Sequence, residues 1–400
     1  MLNPSEGEHL GGDRRRRLGR LWSRGGKPRV LFIQATNPGA YPPLIHASTL
    51  MAEAGWEVTF LSAPVDGNEL ALEPHAHIKI HAVRTRPSHV MSALSYTLYA
   101  TAAARLALRL RPDVVYASDP LGAGPGLLAA RLANAVLVYH EHDSPSRLHP
   151  ILARSRRAAA CAAKLVVFPN ETRAHLAQEE LRFSDKKLHI VWNVPRRAEL
   201  VAAAATAELP LIVYYHGSIT PERLPESVAL AIRRMAGRAK LRIAGYEAPG
   251  ARGYIRHLIG NDQCASVDAL IEYRGMLPRR ADLLAEAARA HIGLSLMPFN
   301  SDDLNMNCMA GASNKPFDYM AAGLALLVSD LPDWTRMFVD PGYARAADPT
   351  SADSIFAALD WFLNHAHERQ DMVARAQAMI ESAWNYETVF APILKALSNA

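Results

Sequence analysis

The sequence predicts an α/β protein built from two doubly wound halves, each a mostly parallel sheet flanked by helices. Three observations predict it. Short β-branched runs alternate with amphipathic helical stretches over residues 30–192, the alternation stops over residues 196–210, and it starts again at residue 211. A chain of 400 residues is also long enough for two domains that each bury a core.

In the first half, residues 30–34 form an apolar run, followed by a Pro/Gly-broken loop and a helical stretch over 44–54. Strand patterns follow at 57–61 and 78–82, and 92–111 reads as a long Ala/Leu helix. Residues 113–117 and 136–139 read as strands with a helix at 127–134 between them, and strands at 165–168 and 189–192 close the set. In the second half, 211–215 is a strand, 221–235 a helix with Pro in its first turn, and 241–244 a strand. A strand at 271–274, a helix from 280, a strand at 292–296, a helix at 314–322 and a strand at 325–328 come next. Two short turns then lead to helices at 351–365 and 367–382 and a terminal helix from 386. The expected division is a basic tail (1–27), an N-terminal Rossmann-like domain (28–195), a linker (196–210), a C-terminal Rossmann-like domain (211–382) and a returning helix (383–400). The two halves are expected to face each other across a cleft, with ligands beyond the carboxyl ends of the strands.

The net charge of +5 belongs to one segment. Residues 1–29 hold eight Arg/Lys against three acids, which leaves 36 basic and 36 acidic residues in the rest. A neutral body lacks the basic stripe of a duplex binder, so no nucleic-acid partner is expected. The tail interleaves Leu18, Leu21 and Trp22 with arginines. It reads either as a segment for an anionic membrane surface or as a solvated extension. Cys161, Cys264 and Cys308 are widely spaced and odd in number, which fits a reducing compartment and no disulfide framework. Without an apolar run after the N-terminal arginines, and without a long uncharged apolar stretch, neither secretory signal nor membrane span is expected. The expected location is cytoplasmic, peripheral to the inner face of the membrane if the tail binds there.

The chemistry concentrates in a few runs. Asn314-Lys315-Pro316-Phe317-Asp318-Tyr319-Met320-Ala321-Ala322-Gly323 reads as a helix whose first turn offers N–H groups and the Lys315 ammonium to an anion. Asp318 stands one turn on, where it can accept from a diol such as ribose, and Gly323 ends the helix. His216-Gly217-Ser218-Ile219-Thr220-Pro221-Glu222-Arg223 follows the first strand of this half and brings a guanidinium suited to phosphate. In the first half, Tyr139-His140-Glu141-His142-Asp143 ends a strand with His140 and His142 on one face.

These runs resemble the large retaining glycosyltransferase family called group 1 or family 4, of the GT-B fold. The similarity extends from about residue 28 and is strongest over 211–348. The 314–330 segment is similar to the family's K-[LP]-[FY]-E-Y-[ML]-A-x-G pattern, with Asp318 in place of Glu. The family's second Glu, eight residues earlier, is Ala310 here. Asn305, Asn307 or Ser313 then remain for hydroxyl contacts. The 216–223 loop resembles G-R-L-x-x-x-K-G, with Ser218 at the Arg position and Arg223 at the Lys position. The resemblance implies transfer with retention, catalysed by Arg223 and Lys315 on the leaving diphosphate and by His142 near the donor sugar. It implies substrate contacts from Gly39, Asp119 and His140 in the N-terminal, acceptor-side half. In the other half it implies contacts from Gly217, Ser218, Gly245, Met276, Leu277, Ser313, Asn314 and Asp318. The nucleotide-diphosphate sugar is a co-substrate, and no cofactor or metal is expected. The acceptor class suggested is a glycan, lipid-linked or of a surface polysaccharide.

Other readings stay open. The His140–Asp143 run could be a metal site, although it lacks helical i,i+4 spacing. The missing Glu at Ala310 and the Ser at 218 leave room for a non-catalytic GT-B scaffold, and a GT-B nucleotide-sugar epimerase shares the fold. Gly122-Ala123-Gly124-Pro125-Gly126 lacks G-x-G-x-x-G spacing, so dinucleotide binding is not expected. Asp318→Ala is expected to weaken nucleotide binding and leave the fold intact.

Overall fold

The computed structural model describes residues 26–62, 70, 72–83, 93–145, 147–202, 209–260 and 269–398. The chain divides into two compact units, one ending at Trp192 and rejoined by residues from Glu387 onward, the other Asn193–Tyr386.

The first unit holds a parallel sheet of β1 (Arg29–Ile33), β2 (Glu57–Ser62), β3 (Ile78–Ala82), β4 (Val114–Ser118), β5 (Val136–His140), β6 (Leu165–Phe168) and β7 (Leu188–Ile190). Their order is β3-β2-β1-β4-β5-β6-β7, with all neighbours parallel. The central strands are buried on both faces, which is why they read as unbroken apolar runs. The terminal helix Tyr386–Ser398 returns Phe390, Ile393 and Leu397 to burial, and Lys164 Nζ donates to Ala396 O at 3.2 Å.

One helix departs from the sequence reading. Where 127–134 was expected, the helix spans Asp119–Ala133 and contains Pro125 and three glycines. Propensity argues against it, but packing requires those glycines. A Cβ on Gly122 would lie 2.7 Å from Ile33 O, and one on Gly126 would lie 2.4 Å from Ala117 Cβ. The glycine run serves close helix–sheet approach.

The second unit holds β8 (Leu211–Ile219), β9 (Ala239–Glu247), β10 (Ile271–Tyr273), β11 (Ile292–Ser295), β12 (Ala325–Ser329) and β13 (Ala344–Ala347). Their order is β10-β9-β8-β11-β12-β13, again parallel throughout. β13 lies where the sequence suggested only turns; its Ala-Arg-Ala-Ala run carries no β-branched signal and is recruited by pairing with β12. The helix expected from 221 begins at Glu226, because Thr220–Leu224 forms a turn and Pro225 caps the helix. Gly323 does end its helix in the left-handed region, at φ +79°.

The expected linker is partly structured. Arg197–Glu199 forms a 3-10 turn, the Val201 N–H donates to Ala321 O at 2.9 Å, and Gln377 Nε2 donates to Val201 O at 2.7 Å. Residues 203–208, and residues 1–25 of the basic tail, lie outside the described residues. No helix among the described residues is long and apolar enough to cross a membrane.

Beneath β5, Glu141 is fully buried and takes Arg156 as a bidentate partner, Nε to Oε2 and Nη2 to Oε1, each at 2.7 Å. The Tyr139 hydroxyl donates to the same carboxylate at 2.6 Å. A buried charge stripped of its partner is strongly destabilising. Arg156→Met should therefore lower the urea stability of this unit by about 3–5 kcal/mol, with most of the loss recovered in the double variant Glu141→Gln/Arg156→Met. A single variant as stable as the wild type would remove this pair from the unit's core.

Candidate functional site

In the second unit the helix Asn314–Ala321 sets its first turn against the end of β8. Gly217, at φ +107°, leaves the space that Lys315 fills: a Cβ there would meet Lys315 Cε at 3.3 Å and Nζ at 3.7 Å. Lys315 is buried, and its ammonium lies 5.3 Å from the centre of the Tyr215 ring. Burial, and then the nearby Arg223 guanidinium, push its pKa down to about 7, against a smaller opposite pull from Asp318. Arg223 is half-buried; its Nη1 donates to Ser218 Oγ and its Nε approaches Met306 Sδ at 3.3 Å. Ser218, standing where the family has Arg, thus orients the one guanidinium that remains. Among the described residues neither Arg223 nor Lys315 has a carboxylate within ion-pair distance. Two neighbouring cations with no ion-paired carboxylate among the described residues, at the positive end of a helix, form an electrostatic site suited to an anion.

Asp318 has a different place from the one the sequence suggested. Its carboxylate is buried, with Oδ1 accepting from Arg280 Nη2 at 2.6 Å and Oδ2 from Arg280 Nη1 at 3.1 Å. His216 Nε2 lies 3.3 Å from Oδ2. Burial opposes the charge, but Arg280 and His216 outweigh it and hold Asp318 below the ordinary carboxylate range. Arg280 is itself shared, donating from Nε to Glu199 Oε1 at 2.5 Å and from Nη2 to Oε2 at 3.1 Å. The expected open diol acceptor is therefore an internal partner that fixes the Lys315 helix, and its truncation would disturb packing. Sequence reasoning missed Arg280 and Glu199: an Arg beginning a helix and a Glu in a linker carry no signal of meeting.

Other expected contacts are explained by packing. Gly245, at φ +149°, would place a Cβ 2.0 Å from Gly217 O, so glycine is needed where β8 and β9 converge. Its N–H donates to Gly275 O and its carbonyl accepts from the Tyr273 hydroxyl, both at 2.8 Å. Met276 and Leu277 are half-buried in the loop after β10. Ser313 is buried as the residue before the helix and makes no side-chain cap, and Asn314 opens the first turn half-exposed.

A second cluster lies at the end of β5 in the first unit. His140 and His142 share one face, with ring centres 3.9 Å apart, while Glu141 points away to Arg156. That alternation takes the one carboxylate inside the His-Glu-His run away from the imidazoles. No group of three or more His, Cys, Asp or Glu suited to a metal occurs among the described residues. The Tyr116 hydroxyl and His140 Nδ1 share a 2.6 Å hydrogen bond. His140 Nε2 and both ring nitrogens of His142 are buried without a hydrogen-bond partner among the described residues. Burial, and then Arg173, lower His142 to about pH 3, and burial lowers His140 as well. Both rings are neutral at physiological pH, able to orient hydroxyls but not to supply a positive charge.

Asp119 anchors this cluster at a left-handed φ of +59°. Its Oδ1 accepts from the His142 N–H at 2.7 Å and the Asp143 N–H at 3.3 Å, so it shapes the loop that carries His142. Gly39 sits in a buried 3-10 turn, its N–H donating to Asn37 Oδ1 at 3.0 Å. The same loop brings the Tyr41 ring to 5.7 Å from that of His142.

Comparison with known proteins agrees with this architecture. Residues 44–194 match the family described as Glycosyltransferase Family 4, and residues 226–395 match the one described as Glycosyl transferase-like. The solved structure of Anabaena HepE in complex with UDP and glucose superposes with a TM-score of 0.69 at 15% identity, covering 93% of this chain and 99% of that one. The sucrose-phosphate synthase of Thermosynechococcus elongatus gives 0.68 at 12% identity, covering 92% and 98%. The chain thus has the GT-B fold, and each half matches a glycosyltransferase family. Among curated proteins, it is 25% identical over 264 residues to the UDP-N-acetylglucosamine–N-acetylmuramyl-(pentapeptide) pyrophosphoryl-undecaprenol N-acetylglucosamine transferase of Shewanella baltica. That match covers 62% of this chain and 64% of the relative's length.

Two outcomes follow from the geometry. A phosphate held by the Lys315 ammonium, whose pKa is pushed down to about 7, should be bound less tightly once that ammonium loses its proton. Affinity for a UDP-sugar should be highest below that pH and fall by up to about tenfold per unit above it. Titration calorimetry across pH 6–9 (roughly the window set by that depressed pKa) should show the slope in the wild type and none in Lys315→Met; identical slopes would exclude Lys315. Arg280→Ala removes the buried guanidinium shared by Asp318 and Glu199 and should lower the unfolding free energy of the second unit by about 3–5 kcal/mol. It should also weaken nucleotide binding, and an unchanged urea midpoint would contradict the bridging role.

Proposed function

We propose that this protein is a glycosyltransferase that takes a sugar from a nucleoside-diphosphate sugar, with the donor diphosphate held by Lys315 and Arg223. The observation that carries this reading is the pair of neighbouring cations, one buried, with no carboxylate within ion-pair distance of either among the described residues. When the bond from the anomeric carbon to the diphosphate breaks, negative charge grows on the departing phosphate oxygens. Fixed cations in a dry site stabilise that charge more than they stabilise the bound donor. His142, neutral and with both ring nitrogens unpartnered, is suited to orienting sugar hydroxyls. No metal enters the scheme.

Three finer features belong to the same proposal. The nucleobase is uracil, supported by the UDP in the name of the structural neighbour and by the UDP-sugar in the names of the relatives. The acceptor is a lipid-linked glycan, the class named for the curated relatives. Transfer proceeds with retention, supported by the similarity of the 314–330 segment to the retaining family. The arginine-rich segment up to Arg29, most of it outside the described residues, supplies charge for an anionic leaflet where such an acceptor resides.

Thermal-shift measurements against UDP, GDP, ADP, CMP and their sugar adducts test the donor site. A ligand at a hundred times its Kd stabilises by about 2.7 kcal/mol, so a UDP-sugar should raise Tm clearly and Lys315→Ala should abolish the rise. With a lipid-linked acceptor, sustained UDP release and an unchanged anomeric configuration by NMR are expected. Binding without any product would instead favour the non-catalytic scaffold, and no nucleotide binding at all would end the proposal.

A further inference from the structure

Three helices of the first unit, Ala93–Leu110, Asp119–Ala133 and Pro150–Ala162, pack side by side, with the middle one touching both others. Together they hold one acidic residue, Asp119, whose carboxylate accepts from the N–H groups of His142 and Asp143. Five of their arginines (Arg105, Arg109, Arg131, Arg154 and Arg157) are exposed. Six of the twelve large apolar side chains exposed among the described residues also lie on these helices: Leu94 at 70%, Ile151 at 60%, Leu108 at 54%, Leu98 at 49%, Leu132 at 44% and Leu128 at 41%. A neutral, well-mixed surface would not gather half of its large exposed apolar side chains where it excludes acids.

The spacing shows that this is a face. On the first helix Leu94, Leu98, Arg105, Leu108 and Arg109 recur at i, i+4, i+11, i+14 and i+15, one stripe of an α-helix. Tyr99, Ala103, Leu106 and Ala107 on the opposite side are buried against the sheet. On the middle helix Leu128, Arg131 and Leu132 form the same kind of exposed stripe. Leucine beside arginine, without acids, matches a surface that is apolar below and anionic above.

We propose that this three-helix face docks on an anionic lipid bilayer, its leucines entering the interfacial layer and its arginines meeting headgroup phosphates. Two features favour a bilayer over nucleic acid. The exposed apolar groups are aliphatic, so they offer no stacking platform for bases, and they stand between the charges, where a phosphate backbone would leave them against water. The docking depends on neither the transfer reaction nor the N-terminal tail.

The test uses the full chain and vesicles of phosphatidylcholine with or without phosphatidylglycerol. Wild-type protein should co-sediment with the anionic vesicles only, and hydrogen exchange should slow in peptides covering 93–110 and 119–133. Leu94→Ser/Leu98→Ser and Arg105→Glu/Arg109→Glu should each weaken binding by about tenfold or more, since each basic charge near such a surface counts for about a factor of five. Because these side chains are exposed, melting and UDP-sugar binding should stay unchanged, which separates loss of docking from loss of fold. A chain lacking residues 1–27 should retain the protection of both peptides. Absence of that protection in the wild type, variants that bind vesicles as well as the wild type, or binding that vanishes with the tail alone would each overturn the proposal. Duplex DNA bound as tightly as vesicles, and indifferent to the leucine changes, would overturn it in favour of a polyanion.

Discussion

The second unit is organised around the Arg280 guanidinium, which lies between the carboxylates of Asp318 and Glu199. A guanidinium satisfied on two edges can remain buried where a lone one could not. Arg280 thereby ties the start of its own helix to the Asn314–Ala321 helix and to the turn at Arg197–Glu199. His216, whose N–H donates to the Tyr319 hydroxyl and whose ring reaches Asp318, ties that helix to β8. With the helix fixed, Lys315 has one place to go, the space left by the missing side chain of Gly217. The cation site is thus a consequence of an ion-pair network that takes no part in it directly.

The first unit solves a related problem by strand alternation. Glu141 lies on one side of β5, consumed by Arg156, and this leaves His140 and His142 together on the other side. Desolvation then keeps both imidazoles neutral. The two units consequently offer different chemistries. One carries two cationic side chains outside any ion pair among the described residues, suited to a diphosphate, and the other carries neutral donors and acceptors suited to hydroxyl groups.

Substitutions relative to the family pattern find physical meaning in this frame. Ser218 does not replace the charge of the usual Arg, but its hydroxyl accepts from Arg223 and so restricts the flexible cation that remains. Asp318 is one methylene shorter than the usual Glu, and its partner Arg280 reaches in to meet it. The glycines at 122 and 126 lie in a helix that propensity alone would reject, because close approach to β1 and β4 outweighs the conformational freedom they lose.

The sequence by itself determined the alternation of strands and helices, the break between two halves, and the runs at 139–143, 216–223 and 314–323. Periodicity and backbone chemistry are local properties, and a helix that presents Lys315 and stops at Gly323 is written in ten consecutive residues. Only the tertiary structure decided which groups those residues meet. Asp318 faces Arg280 from 38 positions away, Asp119 holds the backbone of His142 across 23, and Ala344–Ala347 becomes a strand because β12 offers it a partner. Such pairings depend on where the sheet brings distant segments, and a charge has no preference for its partner until the fold has removed water from between them.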